Sequence, residues 1–165
     1  MGFLRWVDRH LWSLPALIFL LAELAFGVWS AMSSKPVLLA VAPLTARQAV
    51  YSSLTGSSSA LLGLAVAAVA ILAAFGPRPA GPGQPSRSER SLARARTIVA
   101  GSLLAASFFL LVVVITATVA LAVDVRNTGN SAITALIEAS GIASVVGLLI
   151  GSIGLAFVII ERSRQ

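Results

Sequence analysis

Four long apolar stretches, at residues 11–32, 49–75, 97–123 and 132–160, divide the chain. Each reaches or exceeds the ~20 residues that a helix needs to cross ~30 Å of hydrocarbon. The pattern predicts an all-α, polytopic membrane protein: four transmembrane helices packed as one helical bundle in a single domain. The first stretch has Ser13 placed to cap a helix and Pro15 in its first turn, where proline is tolerated, and only Glu23 interrupts it. A cleaved signal peptide is the competing reading, because basic residues precede the stretch and Val28-Trp29-Ser30 loosely resembles a small-residue cleavage site. The long charged leader and the apolar residues on both sides of Glu23 favour a retained span.

Between the first two spans, Lys35-Pro36 and Ala42-Pro43 punctuate a loop with room for one interfacial turn. The second span opens on a hydroxyl-rich run from Tyr51 to Ser59 and ends in apolar residues up to Phe75. Residues 76–85 then repeat Pro and Gly, which remove backbone donors and favour extended, solvated chain. This linker continues to residue 96 and carries Arg78, Arg87, Arg90, Arg94 and Arg96. A short turn containing Asn127, Gly129 and Asn130 joins the third span, the most apolar, to the fourth. The two halves show no residue-level repeat of the kind that marks inverted-repeat transporters.

Charge adds an orientation. Arg5, Arg9, the five arginines of the linker, Arg162 and Arg164 put nine basic residues on one face, against Lys35, Arg47 and Arg126 on the other. Basic residues in short flanking loops stay cytoplasmic, so both termini and residues 76–96 are expected there, an N-in/C-in arrangement. Trp6, Trp12, Trp29 and Tyr51 fall at the span boundaries, where amphipathic rings prefer to sit.

Composition excludes several classes of function. Of 165 residues, 58% are hydrophobic and 11% charged, against about 45–50% and about 25% in soluble domains. There is no cysteine, and His10 is the only histidine, which removes disulfides, thiolate chemistry and cysteine-held metals. His10 lies outside the first span and the Gly56 to Ala60 run is no nucleophile elbow, so no catalytic set is expected. No phosphate loop, metal-ligand spacing or cofactor motif occurs either. The net charge of +6 is read as orientation plus anionic lipid headgroups at Arg87, Arg90, Arg94 and Arg96, and no nucleic-acid partner is expected. Eleven arginines against one lysine, with abundant alanine, suggest a GC-rich bacterial genome and hence a bacterial inner membrane.

Two patterns inside the spans carry the functional expectations. Helices in lipid associate where small residues let backbones approach. Gly147 and Gly151, with Ala143 before them and Gly154 after, give the fourth span such a face. Ser52, Gly56 and Ala60, overlapping with Ser59, Gly63 and Ala67, give one to the second. These faces serve either packing within one subunit or self-association. The second pattern is polar: Glu23 near mid-bilayer, the hydroxyls of Ser57, Ser58 and Ser59 at comparable depth, and Glu138 opposite the glycine face of the fourth span. A contact between Glu23 and the serines is the expected pairing. Together they form either a cation or proton site or hydrogen-bonded structural polarity. The leading expectation is a small non-enzymatic membrane module, a homo-oligomer or part of a larger membrane complex. The alternative is an oligomeric ion channel or proton-coupled carrier using Glu23.

Overall fold

A computed structural model describes residues 13–33, 38–74, 87–124 and 129–163, and no strand occurs among them. The helices are α1 (Leu14–Ser33), α2 (Leu38–Val41), α3 (Leu44–Ala74), α4 (Arg87–Val123) and α5 (Ser131–Ser163). α1, α3, α4 and α5 are each long and apolar enough to cross a membrane, giving the expected four-span helical bundle. The basic residues Arg5, Arg9, Lys35, Arg78 and Arg126, His10, and the rings of Trp6 and Trp12 lie outside the described residues.

Two helices start earlier than hydropathy alone indicates, for local reasons. α3 begins at Leu44, directly after Pro43, which cannot continue a preceding helix but is tolerated at the entry of a new one. α4 begins at Arg87, within the stretch read as linker: beyond Pro85 the residues are good helix formers such as Ala, Leu, Arg and Glu, and nothing there breaks a helix. At 1.5 Å per residue α4 is about 56 Å long and α5 about 50 Å, well beyond ~30 Å of hydrocarbon. Asn130 starts α5 by accepting at Oδ1 from the backbone N–H groups of Ala132 (3.0 Å) and Ile133 (3.5 Å), an N-cap.

α4 and α5 form the central antiparallel pair, with α3 on the other side of α4 and α1 against α5 and, less extensively, α4. Within an 18-residue apolar stretch of each span, 44% of the residues in α4 and 39% in α5 are buried, against 11% in α3 and 6% in α1, so the outer helices attach by narrow faces. That of α1 comprises Pro15, Ile18, Phe19, Ala22, Glu23 and Phe26, one side of a 3.6-residue period. Phe19 meets Phe109 of α4 there, ring centroids 5.1 Å apart. Large exposed side chains such as Leu24, Leu64, Phe108 and Leu149 point outward, where lipid is the solvent.

Most membrane hydroxyls are satisfied within their own helix. Ser57, Ser59, Ser107, Thr116 and Thr118 each donate to a carbonyl one turn back, at 2.6–2.8 Å. Back-bonding of this kind meets the hydrogen-bonding demand of a hydroxyl in lipid without a partner from another helix.

Candidate functional site

The polar centre of the fold lies at the end of the bundle where α4 turns into α5. Arg47, in the first turns of α3, reaches Asp124, the residue that follows α4. Nε donates to Oδ2 at 2.9 Å and Nη2 to Oδ1 at 3.2 Å, a two-pronged ion pair. Nη1 donates to the carbonyl of Ala42 at 2.6 Å, which ties the approach to α3 back onto the same guanidinium. Tyr51, one turn after Arg47 and on the same face of α3, donates its hydroxyl to Asp124 Oδ2 at 3.1 Å. Its ring packs with Ala117 and Ala120 of α4 and Ile137 of α5. Arg47 and Tyr51 have no exposed surface and Asp124 has 6%.

Two further bonds close this end. The Gly129 N–H donates to the Ala40 carbonyl at 3.1 Å. A Cβ on Gly129 would lie 3.0 Å from the Ala40 Cα and 3.1 Å from Arg47 Nε, so any larger residue would have to push α2 or the Arg47 side chain aside by a few tenths of an ångström. Glu138 Oε1 accepts from the Leu39 N–H at 3.0 Å, satisfying a donor at the start of α2 that the helix itself leaves open. Glu138 is half-buried and turned toward α2 by this bond.

Chemically this cluster is bound up in itself. All three nitrogens of the Arg47 guanidinium and both oxygens of Asp124 are hydrogen-bonded, and the three side chains are covered by protein. The sequence alone gives Arg47 as a flanking charge, Tyr51 as a boundary ring and Asp124 as no more than the start of the turn after the third span. The signal that could have found them is an acid and a base on the same side of the bilayer, with Tyr51 four residues after the base.

The other candidates are distributed differently. Glu23 is on the packed face of α1, with Oε1 buried and unbonded. The expected contact with the serines is not formed: Ser57 and Ser59 are exposed and bonded within α3, and α3 has no substantial interface with α1. Ser58 is buried on the face of α3 that also carries Tyr51. The two glycine faces also part company. A Cβ on Gly147 would lie 2.9 Å from Ala106 Cβ and 3.2 Å from the Ser102 carbonyl oxygen; on Gly151 it would lie 2.5 Å from Leu103 Cδ2, and on Gly154 it would overlap Val99. The α5 face is therefore consumed by α4. Gly56 and Gly63 are exposed, and an added Cβ would meet nothing within 4 Å. A shallow groove on α1 is lined by Leu24, Ala25, Val28, Trp29 and Met32, none of them ionisable. The side chains of Arg87, Arg90 and Arg94 lie outside the described residues.

Fold and site together define a class: a multi-pass helical membrane protein whose spans are clasped at one end by a buried ion pair. No family model, curated protein or solved structure matches the chain.

Proposed function

We propose that the chain is a non-enzymatic membrane module that associates, with copies of itself or with a larger membrane complex, through the outward face of α3. One observation carries this reading. The small-residue stripe around Gly56 and Gly63 has open space beside it, whereas the equivalent stripe of α5 is already filled by α4. A helix face flat enough for close approach gains dispersion contacts when a second helix covers it. In mild detergent, Gly56→Leu and Gly63→Leu should shift the protein to a smaller assembly while leaving its melting temperature unchanged. Unchanged assembly size for both variants, by light scattering, would remove α3 as the interface.

The same reading places the protein in a bacterial inner membrane with both termini and residues 76–96 in the cytoplasm, supported by nine of twelve basic residues on that side. Arg87, Arg90, Arg94 and Arg96 then meet the anionic headgroups of that leaflet. On this cysteine-free background, Ser88→Cys should resist an impermeant thiol reagent in intact cells and react once the cells are opened. Labelling of intact cells would reverse the topology.

The channel or carrier reading draws support from the unbonded oxygen of Glu23. An acidic ring shared between copies, however, needs Glu23 on an outward face of α1, and it sits on the packed one. Association without a shared acidic pore is the stronger reading.

A further inference from the structure

We propose that the junction of α1, α4 and α5 contains a proton-binding site made of Glu23 and Ser140. These two residues own the buried side-chain oxygens that lack a hydrogen-bond partner among the described residues. Ser140 has no exposed surface. It also lacks the bond to its own helix that Ser107, Ser144, Thr116 and Thr118 make, so its hydroxyl is free for another helix.

Register brings the two to one level. Gly147 of α5 lies against Ser102 and Ala106 of α4, and Gly151 against Leu103, which fixes the antiparallel pairing. Counting two turns back from Gly147 reaches Ser140, and two turns on from Ala106 reaches Val113, so these face one another. Phe19 of α1 contacts Phe109 of α4, and one turn further along each of these parallel helices come Glu23 and Val113. Glu23 and Ser140 are each about 14 Å from the first residue of their helix, α1 and α5, near the middle of ~30 Å of hydrocarbon.

The surroundings select the ligand. α1 holds no basic residue, α4 holds no charged residue from Thr97 to Val123, and α5 holds only Glu138 from Ser131 to Ile160. Glu138 lies on the opposite side of α5 and is bonded to Leu39, while Arg47 of α3 is bound to Asp124. With no cation to pair with, a carboxylate at mid-bilayer is expensive, and two oxygens are too few to coordinate a metal ion. A proton is the cation that fits: the Glu23 carboxyl O–H donates to Ser140 Oγ, directly after a rotation of the serine or through one water. This site is internal to one subunit and independent of association through α3.

Infrared difference spectra of the full chain in lipid bilayers at neutral pH test it. The wild type should show the carbonyl stretch of a protonated carboxylic acid that is lost in Glu23→Gln, persists in Glu138→Gln and moves to higher frequency in Ser140→Ala. Absence of that band, or a band that Ser140→Ala leaves in place, overturns the site. If Glu23→Gln does not fold, the wild type labelled with carbon-13 at its glutamate carboxyls serves instead. One of the four glutamates should then give a protonated-carboxyl signal by solid-state NMR that shifts in Ser140→Ala, and four ionised glutamates, or no shift, would refute the proposal.

Discussion

Asp124→Ala should lower the stability of the protein by about 3–5 kcal/mol, the range for removing one member of a buried ion pair. The substitution leaves the Arg47 guanidinium covered by protein with two of its donors unmatched, and it takes the acceptor from the Tyr51 hydroxyl. The loss is large because the charge that remains cannot reach water. Reversible unfolding by SDS in mixed micelles measures it. Removing both charges together, as Arg47→Met with Asp124→Leu, should recover most of the loss, since apolar replacements of similar volume often match a buried pair. A cost for Asp124→Ala below about 1 kcal/mol, the level of a solvent-exposed pair, would mean that water reaches the cluster.

Gly147→Leu should be the most damaging change in the helix interfaces. A single methyl group at position 147 already comes within 2.9 Å of the Ala106 Cβ and 3.2 Å of a backbone oxygen, neither of which can rotate away. Overpacking of this kind costs about 1–3 kcal/mol, and the four-carbon leucine side chain belongs at or above the upper limit. Gly151 differs, because the atom in the way is the end of the Leu103 side chain, which can adopt another rotamer. Melting temperatures in detergent should therefore fall in the order Leu149→Ala, Gly151→Ala, Gly147→Leu, from least to most affected, with Leu149 serving as a lipid-facing control. Equal melting of Gly147→Leu and Leu149→Ala would show that α4 and α5 do not cross closely at this point.

The contrast between these two sites shows what a sequence displays and what it conceals. The spans were legible because hydrocarbon demands long apolar runs, a requirement each helix meets by itself. The glycine face of α5 was legible as a stripe, because its period is local, but the helix that covers it was not. The clasp was concealed for a related reason: Arg47 and Asp124 are 77 positions apart, and each alone resembles an ordinary charge at a membrane boundary. Glu23 was recognisable as an intramembrane acid from its position, whereas its neighbours depended on which face of α1 packs and against which helix. The serines chosen from depth alone belong to α3, on the far side of α4.

The contact between Phe19 and Phe109 has a consequence for how the protein is made. The partner of α1 is encoded about 90 residues later, so at about 5–20 residues per second it is synthesised roughly 5–18 s after α1. Throughout that interval α1 lacks the contacts that α4 and α5 supply to the face carrying Glu23. The tenancy of α1 in the bilayer rests on its own apolar length, against a penalty of about 2.5–3.5 kcal/mol for a central acid on insertion scales. Translation speed and the insertion machinery thus act on α1 before α4 and α5 exist to receive it.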